Sequence, residues 1–294
     1  MKKVAIIGIE NSHAWSFAQS LCPKNGDKTY ADMELVGFYA DLTKEDGQVG
    51  ATKLEKVSAC TQYAETPGAF VNEVDAVMIT ARHGKYHLPY AEPYLRKGIP
   101  VWVDKPICTS TADVVELVNL AKQSGSAICG GSSLVFAKEI REMAEYVDSN
   151  RDEIIGGHVT APVSLVNDYG NFWFYSSHLV QMITTVFGFD ILSVEAWQSG
   201  KTVRAVYHYA NMDVTAMFGT GYTVTAYKGS GNAKTTSVTL DGCYDAELDE
   251  FYNMVKTGQG VASWREFIMP VFLIDATIRA FEEKREIKIE LPDV

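Results

Sequence analysis

Five short runs constrain this chain more than anything else in it: Val4–Gly8, Glu34–Ala40, Ala76–Thr80, Pro100–Val103 and Ala127–Gly131. Each is rich in Val and Ile and apolar at nearly every position, not at every second one. Strands of that kind must be covered on both faces, the condition of a parallel sheet packed between helices. The intervening sequence supplies the helices. Ala14, Phe17, Ala18 and Leu21 fall at i, i+3, i+4 and i+7, and Val114, Leu117, Val118 and Ala121 repeat the pattern. Ser110 with Asp113 forms a capping box before the latter helix, and Gly125 stops it. Strand–helix alternation predicts a parallel α/β sheet with right-handed crossovers.

After Gly131 the pattern changes. Helices are expected over Ala137–Val147 and Tyr175–Phe187. The alternating runs Thr202–Tyr209, Asp213–Gly219, Tyr222–Tyr227 and Thr235–Leu240, divided by turn residues, read as an antiparallel meander. Helices over Ala246–Lys256 and Arg265–Glu283 and a short strand close the chain. The expected organisation is a Rossmann-like parallel-sheet domain over residues 1–125, then an α+β domain over 126–294 with a mostly antiparallel, open-faced sheet. The last helix is expected to pack back on the first domain.

The first strand ends at Gly8, where a dinucleotide-binding protein turns into G-x-G-x-x-G. Glu10 and His13 stand where the second and third glycines belong. Ser12 is placed to cap a helix beginning near His13, leaving N–H groups that suit an anion. Glu10 opposes one, because like charges about 4 Å apart repel by about 1 kcal/mol in water and about 4 at an effective dielectric of 20. The loop alone therefore allows either a nucleotide site or a tight turn without a ligand. Asp41, past the second strand, is placed to bond the ribose hydroxyls and to repel a 2′-phosphate, favouring NAD over NADP; Lys44 close by blunts that preference.

Acidic residues outnumber Lys and Arg by 37 to 26, without long runs of either sign, which argues against nucleic acid or anionic lipid as partner. The five scattered cysteines include no C-x-x-C pair and read as free thiols. No leader sequence and no membrane span are expected, so a cytoplasmic location is the default. His83 and His87 are four apart, but no third ligand is spaced nearby, and no metal is expected.

The segment from Met78 to Ser110 carries His87, then Gly98-Ile99-Pro100-Val101, then Asp104-Lys105-Pro106. In that order and spacing the sequence resembles the Gfo/Idh/MocA family of glucose–fructose oxidoreductases, inositol dehydrogenases and relatives, which carry a histidine after the fourth strand, a G-x-x-V junction and a Glu-Lys-Pro tripeptide. The Asp104 variant keeps the charge on a shorter side chain. The resemblance implies that Lys105 reaches both nicotinamide and substrate, and that Pro106, often cis in the family, sets its aim. It further implies cofactor contacts from Gly8, Asn11, Ser12, His13, Asp41, Thr80, His83 and His87.

Family members open a helix of the second domain with D-x-x-x-H, the histidine acting as general base. His178 matches that histidine, while Phe174 stands at the acid's position and Tyr175 is the nearest hydroxyl. The resemblance makes Lys105, His178 and Tyr175 the candidate catalytic residues, with Asn171 beside them as a substrate contact. It implies an NAD(P)-dependent oxidoreductase, using NAD rather than NADP, that moves hydride between nicotinamide and a hydroxyl carbon of a sugar, polyol or cyclitol held over the second-domain sheet. It also implies self-association as a homodimer or homotetramer, and Tyr207, Tyr209, Phe218 and Tyr222 of the meander are candidates for that interface or for a core face. The alternative is a non-catalytic ligand-binding or regulatory protein on the same scaffold.

Overall fold

Apolarity on both faces puts the first five runs inside one sheet. The computed structural model describes residues 1–294, and its first unit comprises residues 1–108, 112–131 and 244–264. In chain order it holds β1 (Lys2–Ile7), α1 (Ser12–Leu21), β2 (Met33–Tyr39), α2 (Glu45–Val57), β3 (Tyr63–Ala64), β4 (Ala76–Ile79), α3 (His87–Leu95), β5 (Val101–Asp104), α4 (Thr111–Ser124) and β6 (Ile128–Gly131). The strands lie in the order β3-β2-β1-β4-β5-β6, every pair parallel. The order reverses between β1 and β4, and the crevice beyond the carboxyl ends of such strands is where α/β sheets take ligands. Neither α2 nor β3 was expected. Gly47 and Gly50 interrupt the helical pattern of α2 because it lies flush against the chain: a Cβ there would come 2.4 Å from the Asp41 carbonyl oxygen and 2.3 Å from that of Ile9.

The second unit comprises residues 109–111, 132–243 and 265–294. It contains α5 (Lys138–Ser149), β7 (Ile154–Ala161), α6 (Trp173–Phe187), β8 (Ser193–Ser199), β9 (Thr202–His208), β10 (Asp213–Phe218), β11 (Thr223–Lys228) and β12 (Ala233–Ser237). Beyond them follow α7 (Cys243–Thr257), α8 (Trp264–Glu283) and β13 (Ile287–Lys288). The sheet order is β12-β11-β7-β10-β9-β8-β13. The expected meander is thus split: β7 inserts between β10 and β11 and runs parallel to β10. Gly156 and Gly157 hide β7 from the apolar pattern, and Gly157 is needed because a Cβ would lie 2.2 Å from the Phe187 ring of α6.

Tyr207 and Phe218 are fully buried, and Tyr209 and Tyr222 pack against the same core. Tyr207 bonds Thr277 Oγ1 of α8 at 2.8 Å. These aromatics form the inner face of the sheet, which corrects their candidacy as an interface; the outer face instead exposes Trp197 and Tyr227. The division expected after residue 125 falls after Gly131, and the segment that rejoins the first unit is 244–264, while α8 belongs to the second. Within the first unit, Phe251 of α7 meets Trp102 edge-on at 6.5 Å, and Val261 N–H donates to Ile128 O at 2.8 Å. No helix is long and apolar enough to cross a membrane.

Candidate functional site

The first turn of the chain is held from below. Gly8 has φ +92°, and a Cβ on it would meet the Ala81 backbone at 2.3 Å, so only glycine fits. Its N–H donates to Tyr39 O at 2.8 Å, and the Thr80 hydroxyl donates to its carbonyl. Asn11, not Ser12, caps α1: its Oδ1 accepts Ala14 N–H at 3.1 Å, while its Nδ2 donates to Thr80 O (2.5 Å) and Asp104 Oδ2 (3.2 Å). Glu10 turns inward. Burial raises its carboxyl pKa, Asp46 adds to that, and the backbone N–H groups of Glu10 and Arg82 oppose it. One of its carboxylate oxygens, Oε2, is buried without a hydrogen-bond partner, and no acid stands in the first turn of α1.

Asp41 lies just past β2 with its carboxylate partly exposed. It accepts from Thr43 N–H and Oγ1 and pairs with Lys44 Nζ at 3.2 Å, and these hold its pKa below the ordinary value. Tyr86 stacks on Tyr90 at 5.5 Å, with Lys44 Nζ 5.4 Å from the Tyr86 centroid. His83 Nδ1 accepts Lys85 N–H at 3.2 Å, and its pKa falls to about 4 through burial and the Lys85 charge.

Three residues with implied cofactor contacts have their side chains placed elsewhere. Thr80 is fully buried on Gly8. His87 is fully buried, its ring nitrogens 3.0 Å from Ile107 O and 2.7 Å from Ala81 O, so it fixes the two loops beside Lys105 and presents no ring atom outward. His13 points inward from α1, 5% exposed.

What His13 meets inside is a charged cluster. Its Nδ1 lies 2.9 Å from Asp104 Oδ1 and 3.7 Å from Glu247 Oε2. Burial works to raise the Asp104 pKa, but the His13 and Lys105 charges outweigh it and the net shift is downward. Glu247 is pushed well above its ordinary value by burial and by Asp104. Lys105 follows directly, on a cis peptide bond to Pro106; burial lowers its pKa, Arg82 lowers it further, and Asp104 and Glu247 oppose. Glu247 was not among the expected site residues. The signal was available: it falls on the buried stripe of α7 with Leu248, Phe251, Met254 and Val255, an acid where an apolar residue belongs.

In the second unit, His178 is 6% exposed on α6. Ser132 Oγ lies 2.7 Å from its Nδ1, and Ser132 N–H donates to Gln181 Oε1 at 2.7 Å. A hydroxyl thus does the orienting that the missing acid at Phe174 does not, and neither Ser132 nor Gln181 carries a motif that sequence reading can see. The Tyr175 and Tyr222 rings flank the imidazole at 6.1 and 6.0 Å. Asn171, expected as a substrate contact, has φ 56° and spends its Oδ1 on Asn167 N–H at 3.0 Å, bracing its own loop.

Residues 2–131 match the family model described as "Oxidoreductase family, NAD-binding Rossmann fold", the GFO_IDH_MocA model. Those residues belong to the Gfo/Idh/MocA family. No curated protein matches the chain. Among solved structures, the chain is similar to myo-inositol 2-dehydrogenase from Lactobacillus plantarum at 14% identity and TM-score 0.81, covering 98% of this chain and 99% of that one. Scyllo-inositol dehydrogenase from Lactobacillus casei, with bound cofactor NAD(H) and scyllo-inositol, is similar at 15% identity and TM-score 0.80, with 98% and 99% covered. A myo-inositol dehydrogenase from Corynebacterium glutamicum ATCC 13032 matches at 14% and 0.78, with 99% and 100% covered. At such identities the likeness is one of fold, and it covers nearly the whole chain.

Proposed function

We propose that this chain is an NAD-dependent dehydrogenase acting on a secondary hydroxyl of a polyol, sugar or cyclitol. One observation carries the reading: Lys105, at the carboxyl end of β5, is an ammonium whose pKa burial depresses, held beside the helix start and strand ends where a dinucleotide fits. The residues present suit NAD because Glu10 is folded in, the first turn of α1 carries no acid, and Asp41 offers a carboxylate to ribose hydroxyls. Gly8, the start of α1, Asp41 and the loop at His83 would hold it. Asp41 disfavours a 2′-phosphate, so NAD is preferred to NADP. When bound, the nicotinamide supplies the hydride acceptor.

The protein's own part is proton handling and charge. His178, oriented by Ser132, accepts the substrate hydroxyl proton. Lys105 donates a hydrogen bond to the oxygen as it becomes a carbonyl, and its lowered pKa eases sharing of the proton. Tyr175 bounds the substrate beside His178. Self-association as a homodimer or homotetramer is part of this reading, supported by Trp197 and Tyr227, 52% and 41% exposed on the outer face of the sheet.

Titration with NADH and NADPH, followed by nicotinamide fluorescence, tests the reading. Micromolar NADH binding, weakened in Asp41→Ala, is expected. In a screen of inositols and sugar alcohols, Lys105→Ala is expected to lose on the order of 10²–10³ in turnover. Absence of binding at millimolar nucleotide overturns it.

A further inference from the structure

We propose that His13, Asp104 and Glu247 form a binding site for one divalent first-row transition-metal ion. The three come from the first turn of α1, the end of β5 and the buried face of α7, so local sequence does not explain their meeting. One ligand-type atom from each lies within 4.8 Å of the others. Their side chains are 6%, 0% and 0% exposed.

The cluster is not satisfied by its own members. Both Glu247 oxygens are buried without a hydrogen-bond partner, and so is His13 Nδ1. At 2.9 Å Nδ1 makes an ion-pair contact with Asp104 Oδ1 that lacks good hydrogen-bond geometry. Buried polar atoms are nearly always paired, and three orphans converging on one point need a common partner. A proton can serve one pair of them; a cation serves all three.

Geometry agrees. Zinc–nitrogen and zinc–oxygen bonds are about 2.0–2.2 Å. Ligands on such an ion therefore stand about 3.0 Å apart at right angles and about 3.4 Å apart in a tetrahedron. The observed edges from His13 are 2.9 and 3.7 Å. One imidazole with two carboxylates suits Zn²⁺, Mn²⁺ or Fe²⁺, and two buried carboxylates neutralise a doubly charged ion.

The surroundings are those of a held ligand set. Asp104 is fixed by Lys105 N–H at 2.6 Å and by Asn11 Nδ2 at 3.2 Å, and Asn11 also caps the turn from which His13 projects. The Tyr244 ring lies 4.7 Å from the His13 ring, and its hydroxyl is 3.2 Å from Ser12 Oγ at the surface.

The test uses the full chain, stripped with a chelator and then equilibrated separately with Zn²⁺, Mn²⁺, Fe²⁺ (anaerobically) and Co²⁺. Bound metal is counted after gel filtration, and the Co²⁺ visible spectrum is recorded. Near one equivalent in the wild type is expected, with affinity at least tenfold weaker in His13→Ala and in the near-isosteric Glu247→Gln, and with the Co²⁺ bands altered. The two variants guard against a folding failure in either, and circular dichroism checks both. Less than about a tenth of an equivalent of every metal overturns the proposal, and so does full binding retained in both variants. Since the readout is metal content, its outcome is independent of whether the protein binds NADH or turns over a polyol.

Discussion

His13 and His178 are nearly alike in burial, 5% and 6% exposed, and both lie in the early turns of a helix. Their company differs completely. Ser132 joins His178 to Gln181, its hydroxyl bonding the ring and its N–H donating to the Gln181 side chain. His13 faces two carboxylates, one of which bonds nothing. Burying an imidazole thus says little about its work: a bonded hydroxyl partner readies it for proton transfer, and a carboxyl group left without a bond readies it for an ion.

The largest expected effect separates the two roles. His178→Ala lowers turnover by about 10²–10⁴, the usual range for a general base, while NADH affinity measured by fluorescence stays within about twofold. An equal loss of nucleotide affinity would break the contrast. Next, Ser132→Ala lowers turnover about tenfold, because a hydrogen bond to a chargeable ring contributes about 1.5 kcal/mol or more; steady-state kinetics read it, and metal content should not change. On the other side, Asn11→Ala removes a helix cap and the clasp on Asp104, and urea unfolding should show a loss of about 1–2 kcal/mol.

The smallest effect concerns a carboxylate that is bonded but exposed. Asp75 Oδ2 accepts Lys3 N–H at 2.8 Å, and this bond, with the Lys2 charge, lowers its pKa. A depressed carboxyl contributes stability that is present above its unfolded value, near pH 4, and is lost as pH falls through the folded value. Asp75→Asn should therefore cost under about 1 kcal/mol at pH 7 and nothing at pH 2, compared by unfolding at both.

How much of this was legible follows from range. The five buried strands of the first unit announced themselves because apolarity on both faces is a local property, and their ends fall within two residues of the reading. β7 did not, since Gly156 and Gly157 serve the Phe187 ring of another element. Lys105 and His178 stood out through motif context. Ser132 did not, because it takes its meaning from a residue distant in the chain, and Glu247 was legible only as an acid on an apolar stripe, its partners lying far off in sequence. The departures at Glu10 and His13 were visible as departures, yet only the fold says which way the side chains turn: inward, both of them.

The return of residues 244–264 to the first unit also sets an order of events during synthesis. Phe251 covers Trp102, and Val261 pairs with β6, so the nucleotide-binding sheet emerges from the ribosome early but waits for its cover until all but the last 30 residues have been made. A gene fragment ending at codon 131 would encode a sheet with Trp102 uncovered and without Glu247. Most of the second unit, residues 132–243, is translated inside that interval, and its closing segment, 265–294, comes only after the first unit is complete.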